Sequence, residues 1–259
     1  MVKIEKVICG DCLLEMKYIP NKSIDMILCD LPYGITGCIW DTIIPFDLLW
    51  EQYKRIIKNH GAIVLFGCQP FTSKLIMSNL SWFKYEWIWD KGNSGNFQLA
   101  NKVPLRVHEN IVVFAADKLL YKPQMIQKEI PIDKRRWKFE GPNMHFSSKT
   151  RDVSKRILTK SIIDMYCSVS GECNNPVRVH PTQKPVGLFE YLIQTYTNEG
   201  DLVLDNCAGS GTTGVSCKKL NRQFILIEKE QKYIDICNKR LSEIHYIDAK
   251  IIVERNNWW

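Results

Sequence analysis

The chain has 259 residues, 45% hydrophobic and 24% charged. That balance belongs to a globular chain able to bury a sizeable core, as one large domain with an insertion or as two modest ones. No apolar run approaches the roughly 18 residues that cross a bilayer, and "MVKIEKVICGDC" is charged too early for a secretory signal, so a cytoplasmic protein without a membrane partner is expected.

Ten cysteines are scattered through segments that read as buried strands and helices, without the short secreted context of a disulfide framework; they are expected to be reduced thiols. Cys9 and Cys12 have C-x-x-C spacing, but no second pair follows at zinc-like spacing, and Cys167 and Cys173 lie too far apart to complete a site. No metal is expected. The formal charge is +7, and Lys118 to Arg178 alone holds 13 Lys and Arg against 6 Asp and Glu. A basic segment on an otherwise balanced body points to a polyanion, whose phosphates release counterions when neutralised.

In chain order, "KVICGD" reads as a short strand, "CLLEMKYI" as a helical turn or two, and "SIDMILCD" as a buried strand. "PFDLLWEQYKRIIKNH" has apolar residues at helical spacing, with Gly61 as its stop. "AIVLFG" is again a buried strand and "PFTSKLIMSNL" a helix. This succession predicts an α/β domain with a mostly parallel sheet and helices on both faces. "YEWIWDKG" and "ENIVVFAA" then predict an antiparallel hairpin at a sheet edge, with a long polar connection. Residues 118–178 lose periodicity and read as a separate, inserted basic lobe. Alternation returns with helix "VGLFEYLIQTYT", strand "DLVLD", helix "TTGVSCKKL", strand "QFILIE" and helix "KYIDICNKRLSEI"; the closing "IIVERNNWW" is left as a strand or a frayed end.

Two loops carry chemistry. In "DLVLDNCAGSGTTG" a strand runs into a glycine-rich turn and a helix start, where glycines permit tight turning and close backbone approach. Glu228, about 20 residues beyond at the end of "QFILIE", stands where an acid bonds a ribose hydroxyl pair. Asp205 just before the turn would repel a pyrophosphate and attract an α-ammonium, which favours S-adenosylmethionine over NAD or ATP. The second loop, "CDLPYG", follows another buried strand. An exocyclic base amine is a weak nucleophile; the Asp30 carboxylate and the Leu31 carbonyl, presented by Pro32, would accept its two N–H groups, while Tyr33 offers a flat face for an extruded base. If the two strands are neighbours, Asp30 lies beside the cofactor's sulfonium.

These motifs carry a resemblance. "DLPYG" resembles the Asp-Pro-Pro-Tyr motif of amino-group DNA methyltransferases, "DNCAGSGTT" is similar to their cofactor motif, and "HPTQKP" to the segment before the helix beside the cofactor's methionine end. The order matches the β group. The resemblance implies a Rossmann-like S-adenosylmethionine-dependent methyltransferase fold over 1–117 and 179–259, with 118–178 as target-recognition region. It implies Asp30, Leu31, Pro32 and Tyr33 as catalytic. Asp205, Cys207, Ala208, Gly209, Ser210, Gly211 and Thr212 would hold the amino-acid portion of the cofactor with Lys184 near by, Glu228 its ribose, and Asp11 with Cys12 its adenine end. Lys134, Arg135, Arg136 and Lys138 would meet double-stranded DNA. Leu31 stands for the usual proline and Cys207 for a common phenylalanine. A leading Asp goes with adenine N6 more often than cytosine N4; cytosine N4, or a catalytically silent DNA-binding subunit that keeps the fold, is the alternative. Cytosine C5 chemistry is disfavoured because no proline precedes a cysteine. A lobe this short implies a short recognition sequence or a homodimer, and a cognate restriction endonuclease is left open.

Overall fold

A computed structural model of the chain describes residues 3–35, 41–92, 100–124, 161–164 and 183–244. Lys134, Arg135, Arg136 and Lys138 lie outside these residues, as does "IIVERNNWW".

Among the described residues eight strands form one sheet: β1 (Glu5–Cys9), β2 (Ile24–Cys29), β3 (Ile57–Gly67), β4 (Phe83–Asp90), β5 (His108–Phe114), β6 (Ile162–Asp164), β7 (Leu202–Asp205) and β8 (Gln223–Glu228). Their order is β1-β8-β7-β2-β3-β5-β4-β6. Strands β1, β8, β7, β2 and β3 run parallel, and β5 lies antiparallel between β3 and β4. The helices are α1 (Cys12–Glu15), α2 (Phe46–Ile56), α3 (Phe71–Ser78), α4 (Val186–Tyr196), α5 (Thr212–Lys219) and α6 (Gln231–Ser242).

Alternation along each central strand sends neighbouring residues into two cores. Met26, Leu28, Val64, Phe66 and Val203 pack under α4, α5 and α6 with Leu188, Leu192, Val215 and Leu241. Ile27, Cys29, Ile63, Leu65 and Leu204 pack under α2 and α3 with Leu49, Tyr53, Ile56, Phe71 and Leu75. With both faces covered, β2 reads as an almost continuous apolar run, interrupted only by Asp25, whereas the outer strand β1 is exposed or half-buried.

Two expectations change. The second helix ends at Ile56, and β3 starts at Ile57 and passes through Gly61. Pairing jumps from Ile24–Ile57 to Met26–Ala62, so the exposed residues 58–60 and Gly61 form an irregularity in the strand. A side chain at Gly61 would meet the Asp25 carbonyl at 2.8 Å; close backbone approach, not a helix stop, explains that glycine. Second, the hairpin of β4 and β5 is continued by β6, which pairs parallel with β4. Leu120 and Lys122 also donate backbone hydrogen bonds to His60 and Thr195. The sheet domain therefore takes in parts of the stretch read as a separate lobe.

From β2 the chain proceeds to β3 on one side, and from β7 to β8 on the other. Between β2 and β7 the direction of winding reverses, and their adjacent carboxyl ends splay their following loops apart into a crevice.

Candidate active site

A cavity of about 660 Å³ opens at that crevice, within the size range of small-molecule sites. Following the strand order, its wall passes from Gly10 and Asp11 after β1, to Glu228 ending β8, to the loop after β7, and then to Asp30 and Tyr33 after β2. Cys12, Leu31, Pro32, Lys184, Asp205, Cys207, Ala208, Gly209, Ser210 and Thr212 also line it. The two loops that the sequence sets some 170 positions apart thus share one cavity.

The glycine loop is held by its own backbone and by two acids. Gly211 adopts φ +76°, a left-handed conformation, and a side chain there would run into Cys237 Sγ of α6. Glu228 accepts the Gly209 N–H through Oε2 at 2.8 Å and the Glu230 N–H through Oε1 at 2.9 Å, which fixes its carboxylate at the cavity wall. Asp205 accepts the Cys207 N–H at 3.1 Å and the Thr213 hydroxyl. Burial pushes its carboxyl up to about 7, against the pull of those hydrogen bonds. Ser210 Oγ and Thr212 Oγ1 both accept from Arg240 Nη1, at 3.0 and 3.3 Å, so these hydroxyls also brace the loop.

Asp11 has a local task as well: its Oδ1 caps α1, accepting from Leu13 at 2.9 Å and Leu14 at 3.3 Å. Cys12 and Cys207 lie side by side; that contact and burial raise the Cys12 thiol far above its ordinary range. All seven described cysteines are free thiols.

At the other end, both oxygens of Asp30 are engaged. Tyr33 donates its hydroxyl to Oδ1 at 2.5 Å, and Lys184 donates to Oδ2 at 2.6 Å. Burial raises the Asp30 carboxyl above its usual range while the Lys184 charge draws it down. The Tyr33 ring leans on Phe71 with centroids 5.1 Å apart, and Leu31 is buried in the core. Gly34, at φ +68°, closes the motif: its N–H and that of Ile35 donate to the Asp41 carboxylate, each at 2.9 Å.

Two neighbours of the site lie outside the sequence motifs, and a third, Asn206, lies inside one that assigned it no role. Asp41 clamps the turn after Tyr33. Asn206 is held by the Tyr53 hydroxyl from α2 at 2.5 Å. Glu109, the second residue of β5, reaches Lys184 at 3.2 Å. Because β5 runs antiparallel, its beginning, not its end, arrives at the edge where the Asp30 loop lies. The available signal was an acid at the head of the apolar run "ENIVVF". Among the described residues no cluster of His, Cys, Asp and Glu could hold a metal ion, and no helix is long and apolar enough to cross a membrane.

The sequence profile of a DNA methylase family covering N6 and N4 enzymes matches residues 24–239. The type II methyltransferase M.HinfI of Haemophilus influenzae is 29% identical over 93% of this chain and 69% of its own length. The type II methyltransferase M.HpaI of Haemophilus parainfluenzae is 28% identical over 95% and 77%. Among solved structures, that of the M1.HpyAVI–SAM complex superposes with TM-score 0.61 at 25% identity, covering 92% of this chain and 99% of that one. The profile runs through both loops and across the switch point of the sheet, and the chain is therefore a member of the N6/N4 DNA methylase family.

Proposed function

We propose that this DNA methyltransferase moves a methyl group from S-adenosylmethionine to the exocyclic N6 amine of an adenine turned out of double-stranded DNA. The observation that carries this is the single cavity joining the Asp30 loop to the glycine loop across neighbouring strands. When bound, the cofactor supplies an electrophilic methyl group on a sulfonium centre.

The donor set fits that cofactor. The Glu228 carboxylate is held at the cavity wall by two backbone N–H groups, and its remaining lone pairs accept from the ribose hydroxyls. Asp205 is a buried acid at the loop's entry, suited to an ammonium partner that would return it to the ionised form. Asp11 and Cys12 border the adenine end, while Cys207, Ala208, Gly209, Ser210, Gly211 and Thr212 form the turn around the amino-acid portion. Asp30 and the Leu31 carbonyl accept the two N–H bonds of the target amine and stabilise the charge it gains, Pro32 fixes that backbone, and Tyr33 supplies the base platform. The methylated amine is acidic enough to lose its proton to solvent, so no histidine base is required. Lys134, Arg135, Arg136 and Lys138 supply phosphate contacts from the target-recognition region. The leading Asp of the motif supports adenine over cytosine, and the names of the two relatives, both type II methyltransferases, support a type II restriction-modification setting.

The test is to express the chain in cells free of DNA methylation and sequence their DNA for modified bases. N6-methyladenine at a defined site, lost in Asp30→Ala while titration calorimetry still shows cofactor binding, is expected. N4-methylcytosine would reassign the base, and turnover by Asp30→Ala would remove Asp30 from its role.

A further inference from the structure

Two acids face one lysine at the catalytic end of the cavity. Lys184 Nζ lies 2.6 Å from Asp30 Oδ2 and 3.2 Å from Glu109 Oε2, and Glu109 Oε1 in turn holds Lys91 at 3.1 Å. The contact with Asp30 is a hydrogen bond; Glu109 Oε2 is buried and meets the lysine without hydrogen-bond alignment. The lysine side chain is only 9% exposed, so it cannot swing into water without leaving two half-buried acids behind. As it stands, Asp30 is poorly prepared for a target amine. Its charge is drawn toward an ammonium, and that ammonium would sit beside a nitrogen that turns positive during attack.

Resting on the assignment of Asp30 as the amine-binding acid, we propose that Glu109 is a positioning residue: it takes Lys184 from Asp30 as the target amine arrives, leaving the carboxylate free to grip the amine. A lysine suits this, being a compact charge on a flexible stem with three donors. No proton moves in the exchange. Lys184 remains an ammonium in both positions, since the two carboxylates more than offset the burial that would discharge it. The four groups carry two positive and two negative charges, so moving the ammonium from one acid to the other creates no net buried charge. Tyr33, whose ionisation burial pushes well up, and Cys68, raised in the same way, stay neutral beside them, and Arg106 lines the same wall. Glu109 itself remains ionised: burial works against it, but Lys184 and Lys91 hold its carboxyl below the ordinary value.

The experiment compares wild type, Glu109→Gln, Lys184→Met and the double variant on unmethylated genomic DNA with S-adenosylmethionine, following kcat, KM, cofactor affinity and the pH profile. Glu109→Gln should lower kcat about 10- to 100-fold, with cofactor affinity within about twofold. Its acid limb should move to lower pH, because the Glu109 charge repels the ionised Asp30. In the Lys184→Met background the same change should instead raise kcat at pH 7, because without Lys184 the two anions share only Lys91 and removing the Glu109 charge relieves Asp30 of its repulsion. A residue that only supports the fold would lower activity in both backgrounds, and that result overturns the proposal, as does a kcat within about twofold of wild type. If Glu109→Gln does not fold, Glu109→Asp takes its place. It keeps the charge a methylene short, and should lose less kcat with the acid limb unmoved; an unchanged kcat overturns the relay. A wild-type protein that methylates no DNA would refute the parent assignment, and the relay with it, whereas an active wild type with an indifferent Glu109→Gln refutes the relay alone.

Discussion

Asp205 is the residue whose replacement separates stability from function. Its side chain is 3% exposed, and burial carries its carboxyl from 3.8 to about 7. The folded chain thus holds this proton more tightly than the unfolded chain. Stability is full below about pH 4 and declines as pH rises through about 7, where the native state has come to bear an ionised buried acid. At about 1.4 kcal/mol for each pKa unit, the whole displacement amounts to ~4 kcal/mol, and the part falling between pH 5 and pH 8 to ~2–3 kcal/mol. Asp205→Asn removes the ionised form and keeps the loop bonded: the amide oxygen accepts the Cys207 N–H, and the amide nitrogen donates to a reoriented Thr213 hydroxyl. Urea unfolding of the cofactor-free protein at pH 5, 6, 7 and 8 measures the effect. The stability of the variant relative to wild type should grow by ~2–3 kcal/mol across that range, or roughly 5–10 °C in Tm. Affinity for S-adenosylmethionine should move the other way, falling at least ~10-fold as the ammonium loses its acid. A stability difference that stays constant from pH 5 to pH 8 would show that Asp205 carries no ionisation cost in the fold, and the reasoning would fail.

Gly211→Ala forces a side chain onto a left-handed backbone and into Cys237, and should cost ~2 kcal/mol or more with loss of cofactor binding. Gly200→Ala is the control: its φ is +84° but nothing stands within 4 Å, so thermal unfolding should report only the backbone penalty of about 1 kcal/mol. Replacing Lys134, Arg135 and Arg136 together by Gln should weaken DNA binding and reduce the slope of log K against log salt by roughly 2–3, as measured by fluorescence anisotropy. An unaltered slope would place the phosphate contacts elsewhere in the chain.

What the sequence by itself determined was local. Apolar runs such as "IDMILC", interrupted only by Asp25, identify strands covered on both faces, and a strand followed by glycines or by Asp-Leu-Pro-Tyr marks candidate site loops, because backbone conformation and side-chain type there depend on a few adjacent residues. The end of α2 was misread for the same reason: Gly61 looks like a helix stop in isolation, and only the approach of the Asp25 carbonyl from β2 shows why it must lack a side chain.

Tertiary structure alone decided who meets whom. Nothing local in the sequence specifies that β7 pairs with β2, and that pairing turns two distant loops into one cavity. Nor does a strand announce its direction. By running antiparallel, β5 delivers Glu109 to the edge where the parallel strands end, across from Lys184 at the head of α4. Strand order and direction arise from long-range burial and hydrogen-bond pairing, which the spacing of residues along the chain does not encode.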